Sequence, residues 1–290
     1  METKFVVIKN EFLEVTLCTL GASIFRIIYD GQDMVLTPKN DKDFLKDNIY
    51  FGKTIGRVCG RIEVQNYPNF KPQENEKGVS LHGGFDGLSA KEFNVDAKPT
   101  YAEFHYLSKD GEAGYPGNMI FRIRYELIEN SLVVSFFAIT DKPCLLAMTN
   151  HAYFCLGEDK LDNLYLTMEN EKYIVVDNRL LPVKYELIPE KWNFTKGKKL
   201  GETGDIDNYF LFNEKSVELR SEKYSMNINT NFAGTQVFTD HWGDDVSVYS
   251  SNQKKYRGVA IEPQDSQLER QELLPNKHYE RYIKYTFKKL

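Results

Sequence analysis

Short apolar or alternating segments recur along the whole chain, and turn-forming residues separate them. No segment repeats its apolar residues with the 3.6-residue period of a long amphipathic helix. This pattern is typical of an all-β sandwich or barrel, and we therefore expect an all-β fold. The expected strands are Phe12–Leu17, Ile24–Tyr29, Met34–Leu36, Phe121–Ile128, Leu132–Ile139, Leu164–Met168, Tyr173–Val176, Ser216–Leu219, Ser225–Ile228, Gln236–Thr239, Val246–Tyr249 and Tyr279–Phe287.

Three connecting segments carry their own expectations. Glu129–Ser131 joins two apolar strands and predicts a hairpin connection. Asn40–Asn48 is rich in charge and predicts one helical turn, whereas Tyr67–Ser80 contains proline and glycine without periodicity and predicts a surface loop. Neither Asn40–Asn48 nor Tyr67–Ser80 is long enough, or biased enough in composition, to be a linker. The pattern therefore indicates one continuous β domain over residues 1–290.

Charge and hydropathy exclude several classes of protein. The 37 Lys and Arg are interspersed with 42 Asp and Glu, so no basic stripe predicts binding to nucleic acid. The longest apolar stretch, Leu132–Ile139, is far shorter than the roughly 20 residues that span a bilayer. The N-terminal residues show no secretory h-region, and we therefore expect a cytoplasmic protein that does not interact with membranes.

The cysteines and aromatic residues point to a packed interior. Four cysteines form no C-x-x-C pair and predict reduced core thiols rather than a zinc or redox site. Aromatic residues make up 13% of the chain, which favours strands and also supplies flat faces for ring ligands. Trp192 and Trp242 are possible stacking platforms, although core positions are expected for both.

Three local settings are able to carry chemistry. His82 precedes Gly83 and Gly84, and a glycine pair lets the backbone turn sharply and approach a ligand. His151 belongs to a polar triplet after an apolar strand, and Glu262 follows an apolar strand directly before Pro263. A carboxylate that is partly desolvated there has a raised pKa and can act as a general base.

Each setting also has a structural explanation. An exposed histidine in a hairpin turn accounts for His82 equally well, and a hydrogen-bonded core histidine accounts for His151. An exposed glutamate at a strand end, where the proline stops the ladder, accounts for Glu262.

Taken together, these segments resemble the aldose 1-epimerases, also called galactose mutarotases. Motifs similar to those of the family occur in the family's order along nearly the whole chain. They are Gly21–Ile24 (GASI), Gly56–Ile62 (GRVCGRI), Leu81–Gly84 (LHGG), Asp110–Gly117 (DGEAGYPG), Thr149–Phe154 (TNHAYF), Asp207–Phe210 (DNYF), Gln236–Thr239 (QVFT), Glu262–Gln264 (EPQ) and, at the end, Leu274–Pro275 with Tyr279.

The resemblance implies a large β-sandwich and an aldose 1-epimerase that interconverts the α and β anomers of a free aldose of the galactose and glucose class. It implies Glu262 as general base and His151 as general acid. It further implies sugar binding by Arg61, His82, Asp207 and Gln236, with a small-molecule sugar as partner and no metal or cofactor.

The sequence departs from the family pattern at three positions near these motifs. Gly60 replaces the usual Asn before Arg61 and removes an amide, Asn208 replaces the usual His after Asp207, and Cys59 replaces the usual Ala. We expect these changes to affect the choice of sugar more than the reaction. No cluster of arginines is evident that would clamp a sugar phosphate.

Two alternatives remain open at the level of sequence. One is a non-catalytic sugar-binding or regulatory protein on the same fold, suggested by Gly60 and Asn208. The other is an epimerase for a different or modified sugar. Because a pure binding protein has no reason to keep both an acid and a base, the enzyme is favoured. The sequence leaves open whether the chain is a monomer or a homodimer.

Overall fold

The computed structural model describes residues 2–45, 50–67 and 70–290. Within these residues the chain forms strands connected by turns. In chain order they are β1 (Phe5–Lys9), β2 (Leu13–Cys18), β3 (Ser23–Tyr29), β4 (Gln32–Asp33), β5 (Thr54–Ile55), β6 (Arg61–Glu63), β7 (Val79–Leu81), β8 (Asn94–Lys98), β9 (Tyr101–Ser108), β10 (Met119–Ile128), β11 (Ser131–Thr140), β12 (Cys144–Leu145), β13 (Thr149–Asn150), β14 (Tyr153–Phe154), β15 (Tyr165–Val176), β16 (Pro182–Leu187), β17 (Lys198–Lys199), β18 (Asp207–Arg220), β19 (Tyr224–Thr230), β20 (Gly234–Phe238), β21 (Val259–Gln264), β22 (Glu272–Leu273) and β23 (His278–Lys289).

Helical structure is limited to short segments. The α-helix in the described residues is α1 (Asp41–Leu45). It confirms the expected helical turn, whose remaining residues 46–48 lie outside the described residues. The 3₁₀ helices are Val64–Asn66, Leu88–Ala90, Glu112–Gly114, Leu161–Asn163, Glu190–Trp192 and Leu200–Glu202. None of the described helices is long and apolar enough to cross a membrane.

Two antiparallel sheets pack their apolar faces into one core. The larger has thirteen strands, with the hydrogen-bonded path β14-β21-β20-β18-β19-β23-β11-β10-β9-β8. Off this path, β15 pairs with β18, and both β16 and β17 pair with β15. The smaller contains β1, β2, β3 and β4 in sequence order. One buried cluster includes Val15 and Ile27 of the small sheet and Phe121 and Tyr285 of the large one. The expected all-β sandwich is confirmed.

The β10–β11 hairpin shows how local pattern produces this layering. Along β10 buried and exposed side chains alternate, as expected when one face of an antiparallel sheet packs on a core. Ile128 pairs with Ser131, so the connecting turn consists of Glu129 and Asn130. Glu129 adopts φ of 51°, the left-handed region that two-residue hairpin turns require. The predicted hairpin is confirmed, with Ser131 already in the strand.

Some predicted boundaries are wrong. The two segments expected between Leu164 and Val176 form a single strand, β15, whose pairing with β18 shifts register at bulges. Met34–Leu36 and Val246–Tyr249 are not strands, because only Val35 and Val248 form isolated bridges there, to Phe154 and Pro38 respectively. Within the predicted loop 67–80, residues 68 and 69 lie outside the described residues, and the loop ends two residues early, because β7 begins at Val79.

Candidate functional site

Neighbouring strands of the large sheet form the floor of a pocket. Gln236 on β20 lies directly opposite Glu262 on β21, and Asp207 on β18 lies opposite Phe238 on β20. Because side chains alternate between the two faces of a strand, Gln236 and Phe238 point to the same side, which also carries Glu262 and Asp207. All four residues line the pocket.

Glu262 lies inside β21 rather than at its end. The strand continues through Pro263 to Gln264, and the glutamate is only 2% exposed. Pro263 fits there because β14 pairs only with Val259 and Ala260, so the proline lies beyond the end of β14, at a sheet edge where no N–H is required. The expectation that Pro263 ends the ladder, and the alternative of an exposed strand-end glutamate, are both wrong.

His151 also lines the pocket and contacts Glu262. It follows β13 directly and is 5% exposed, and its Nε2 lies 3.4 Å from Oε1 of Glu262. The rings of Tyr50 and Tyr153 pack beside its imidazole, at centroid distances of 5.8 and 5.0 Å. Its Nδ1 has no hydrogen-bond partner among the described residues. His151 is therefore not the fully hydrogen-bonded core histidine that was the structural alternative.

Burial shifts the pKa values of the pair in opposite directions. Desolvation disfavours each charged form and lowers the pKa of His151 to about 4. Burial, and to a lesser extent the negative charge of Asp207, raise the pKa of Glu262 well above its usual value. The carboxyl group is thus a stronger base than usual, and the protonated imidazole is a stronger acid.

A sharp turn directs His82 into the pocket. His82 adopts φ of 55°, and the next residue, Gly83, packs so closely that a Cβ there would lie 2.3 Å from the carbonyl oxygen of Gly56. The backbone N–H of Gly60 donates to Nδ1 of His82 at 3.2 Å. Burial lowers the pKa of His82 well below its usual value. The imidazole is therefore neutral with its proton on Nε2, which makes Nε2 a donor.

Arg61 begins β6 and is held by an ion pair. Its Nε and Nη2 donate to the two carboxylate oxygens of Glu76 at 2.8 and 3.0 Å. On the floor of the pocket, Nε2 of Gln236 donates to Oδ1 of Asp207 at 2.7 Å. Burial raises the pKa of Asp207, although Arg61 and Gln236 oppose this shift.

The structure brings all six predicted residues to one pocket. Arg61, His82, His151, Asp207, Gln236 and Glu262 all line it. Sequence reasoning missed other lining residues, notably Tyr50, Tyr209 and Gln267. Tyr209 was detectable, since it lies two residues after Asp207 on the same strand, whereas no sequence signal connected Tyr50 or Gln267 to the site.

The two tryptophans differ in burial and in whether they line the pocket. Trp192 is buried and packs edge-to-face on Tyr173 and Phe210, so its expected core position is confirmed. Trp242 is 62% exposed and lines the pocket, so its expected core position is wrong. Its ring centroid lies 6.0 Å from that of Phe238.

The three residues that depart from the family pattern differ in whether they line the pocket. Gly60 lines the pocket, but Asn208 and Cys59 do not. The amide of Asn208 donates to the carbonyl of Ile174 at 3.3 Å, and the buried thiol of Cys59 donates to Oε1 of Gln264. Asn208 and Cys59 therefore do not belong to the layer of side chains that faces a ligand, contrary to expectation.

The described part of the chain contains no group of three or more His, Cys, Asp or Glu side chains suited to hold a metal ion. A buried carboxyl group, a buried imidazole and several hydrogen-bonding groups face a single cavity.

Relatives of this chain are found by both sequence and structure. A galactose mutarotase from Sus scrofa is 30% identical over 187 residues, which are 60% of this chain and 55% of that protein. An aldose 1-epimerase from Escherichia coli K12 is 30% identical over 194 residues, 62% of this chain and 54% of that protein. The matched segment thus spans little more than half the length of these relatives.

Solved structures are similar over the whole chain. A structure described as a GalM/aldose epimerase homologue from C. elegans has a TM-score of 0.92, 28% identity and full coverage of both chains. A galactose 1-epimerase from Lactobacillus acidophilus has a TM-score of 0.88 at 24% identity and covers 100% of this chain and 99% of that one, which supports the fold. The sequence model of the aldose 1-epimerase family matches residues 4–286. The chain therefore belongs to the aldose 1-epimerase family.

Proposed function

We propose that this protein interconverts the α and β anomers of a free aldose, with Glu262 as general base and His151 as general acid. The observation that carries the proposal is the pair itself. A buried carboxyl group and a buried imidazole, 3.4 Å apart, face a pocket lined by hydrogen-bonding side chains. Membership of the family supports the same reaction.

The reaction needs only proton transfers. Glu262 takes the proton of the anomeric hydroxyl, the electron pair of that O–H bond forms the aldehyde C=O, and the C1–O5 bond breaks. His151 delivers a proton to O5 as that oxygen leaves, so charge and atoms balance. Rotation about C1–C2 followed by closure with both roles reversed produces the other anomer.

The one-proton form of the pair is the active form. One partner must accept a proton and the other must donate one, so a fully protonated or a fully deprotonated pair cannot complete the cycle. In the resting pocket the opposite pKa shifts favour the proton on Glu262, and the 3.4 Å distance between Nε2 and Oε1 lets it pass to His151, which then acts as the acid. When a sugar hydroxyl lies between the two side chains, Glu262 can accept a proton from the sugar while His151 donates one to it.

The remaining predicted residues bind the ring. His82 presents an Nε2–H donor, and Arg61 adds a positive charge, so both stabilise oxygens that gain negative charge during ring opening. Asp207 and Gln236 supply acceptors and donors suited to hydroxyl groups. Among the described pocket-lining residues Arg61 is the only arginine, and two of its donor groups are given to Glu76. This favours a neutral hexose, of the galactose and glucose class, over a sugar phosphate.

The test is the rate of anomer equilibration. Purified protein added to freshly dissolved α-galactose or α-glucose should speed the change followed by polarimetry or proton NMR. Glu262→Gln removes the base and should lower kcat by about 10²- to 10⁴-fold. Glu222→Gln, the same change at an exposed carboxylate, should retain full activity.

Other outcomes separate the alternatives. Sugar binding in calorimetry without faster equilibration would identify a non-catalytic sugar-binding protein. Acceleration with modified or acidic sugars, but with neither galactose nor glucose, would keep the reaction and change the substrate. No acceleration across an aldose panel, or full activity in Glu262→Gln, would refute the proposal.

The proposal includes a single domain over residues 1–290. It is supported by the core cluster, which extends from Ile8 to Phe287, and by the pocket, which takes residues from both halves of the chain. A cytoplasmic location is also proposed, and the four free, buried cysteines fit a reducing compartment.

A further inference from the structure

Gly60 leaves room in the pocket wall for a side chain from elsewhere. It adopts φ of 68°, and a Cβ built on it would lie 2.8 Å from Nε2 and 3.0 Å from Cδ of Gln267. A Cβ atom essentially never comes this close to another heavy atom, so a side chain at position 60 would require the amide of Gln267 to move. The amide of Gln267 thus occupies space that the glycine vacates.

The amide of Gln267 joins the hydrogen-bonded groups on the pocket floor. Its Nε2 donates to Oε1 of Gln236 at 3.3 Å, and Nε2 of Gln236 donates in turn to Asp207 at 2.7 Å. In the described part of the chain, the second N–H and the carbonyl oxygen of Gln267 make no hydrogen bond. Gln267 lines the pocket, so these groups remain for a ligand.

The segment that carries Gln267 is anchored on both sides. Before it, Asp265 accepts a hydrogen bond from the hydroxyl of Tyr279 at 3.0 Å. After it, Arg270 donates to the backbone carbonyls on either side of Gly60, at 2.9 and 2.8 Å. These bonds fix the backbone on which the amide is displayed, which is the support that a specific binding group requires.

We propose that Gln267 is a specificity-determining residue whose amide hydrogen-bonds to a ring hydroxyl of the sugar, next to the position contacted by Gln236. The proposal rests on the proposed function for the identity of the ligand. Gly60 has no side-chain amide, and Gln267, on the segment after β21, places one at the same part of the pocket wall. An amide both donates and accepts hydrogen bonds. It can therefore bind a hydroxyl in one configuration, whereas the epimeric sugar would leave the amide without a partner.

The decisive variant is Gln267→Met, which preserves side-chain length and removes both polar groups. A neutral hydrogen bond contributes on the order of 1 kcal/mol, so KM for the preferred hexose should rise about five-fold while kcat changes little. Gln271→Met, an exposed position on the same segment that does not line the pocket, is the matched control and should leave KM unchanged.

Deoxy sugars identify the hydroxyl. KM is measured for the 2-, 3-, 4- and 6-deoxy forms of the preferred hexose with wild type and Gln267→Met. For one deoxy sugar the substitution should have no effect, since the contacted group is already missing, while the other sugars keep the five-fold change. An unchanged KM for every sugar, or an equal rise for every deoxy form, would overturn the proposal.

Gly60→Asn supplies a second, independent variant, because asparagine tolerates a positive φ. Alone, it should displace Gln267 and change KM. In the Gln267→Ala background, Gly60→Asn should change KM less than it does alone, because the amide that it would displace is already absent, and an equal change in both backgrounds would count against the shared space. Differential scanning fluorimetry excludes unfolding as the cause.

Failure of the proposed function is distinguishable. If wild type binds sugars in calorimetry but accelerates no aldose, the enzyme proposal fails, and weaker binding by Gln267→Met would still support its role. If wild type is active and Gln267→Met alters neither KM nor affinity, only this inference fails.

Discussion

Arg61 and Glu76 form a two-point ion pair at the edge of the pocket. Nε and Nη2 of the guanidinium each face a different carboxylate oxygen, at 2.8 and 3.0 Å. Two parallel bonds fix both the position and the plane of a guanidinium group, which a single contact would not. Since Glu76 does not line the pocket, we propose that it acts only by positioning Arg61.

Glu76→Gln should therefore raise KM. The amide leaves only one good acceptor for the guanidinium, so Arg61 becomes free to rotate away from the sugar. We expect about a five-fold rise in KM, a loss of the order of 1 kcal/mol, with little change in kcat. Steady-state kinetics by polarimetry measure both constants.

Glu14→Gln, in the exposed pair with Lys9, is the control, because it removes a surface ion pair away from the pocket. It should leave KM unchanged. An equal KM in wild type and Glu76→Gln would show that Arg61 needs no positioning by Glu76.

The pair His151 and Glu262 predicts a bell-shaped pH profile of kcat/KM. As the pH falls through about 4, His151 becomes protonated while Glu262 also holds a proton. The pair then carries two protons, and activity is lost. As pH rises, the pair loses its last proton, at a pKa raised well above the usual glutamate value by burial, and activity falls again. NMR magnetisation transfer between anomers, corrected for the spontaneous rate, measures both limbs. A flat profile between about pH 3 and 9 would contradict one-proton catalysis.

Sequence reasoning located the long hairpin and the six candidate residues because each depends on local pattern or on motifs. Apolar and polar residues alternate from Phe121 to Leu127, so this strand is visible from residue types alone. The proximity of His151 and Glu262 is different. It depends on two segments more than a hundred residues apart, and only the resemblance to a family predicted it.

The missed features share one physical cause. Gln267 enters the pocket because Gly60, more than two hundred residues earlier, has no side chain, and neither residue signals the other in sequence. Glu262 was expected at a strand end because proline usually stops a ladder, yet the two-residue length of β14 leaves Pro263 at an edge. Tertiary context decides both cases, and local propensity does not.

The four cysteines should be unreactive in the folded protein. All are buried and free, and burial raises the pKa of Cys18 and Cys155 to about 11 and also raises the pKa of Cys59 and Cys144. Because the thiolate is the reactive form, Ellman's reagent at neutral pH should react with none of them until denaturant is added. Fast reaction of even one thiol with the native protein would contradict this burial.

Arg257 should be central to stability. It is fully buried and donates to the carboxylates of Asp240 and Asp244, which flank the loop that carries Trp242. Arg257→Ala leaves Asp240 buried without its partner, so we expect a loss of about 3–5 kcal/mol in the free energy of unfolding. Urea denaturation measures it.

Lys254→Ala is the matched control, since it breaks the exposed pair between Lys254 and Asp245 in the same region. Exposed pairs contribute about 0–1 kcal/mol. Equal stabilities of the two variants would refute a special role for the buried arginine.

Trp242 should act as a stacking face for the sugar. Its ring lies beside Phe238 at the pocket and is 62% exposed, which leaves an apolar surface able to cover a pyranose face. Covering about 40 Å² of apolar surface is worth about 1 kcal/mol, so Trp242→Ala should raise KM about five-fold. Trp242→Phe retains part of the face and should have a smaller effect.

Fluorescence distinguishes stacking from an indirect effect on KM. The chain has two tryptophans, and Trp192 is buried in the core and does not line the pocket, so a change in emission on adding sugar should come from Trp242. Trp242→Phe should abolish that change, while Trp192→Phe should preserve it. If the sugar-induced change persists without Trp242, or if Trp242→Ala binds sugar as tightly as wild type, the exposed ring does not contact the substrate.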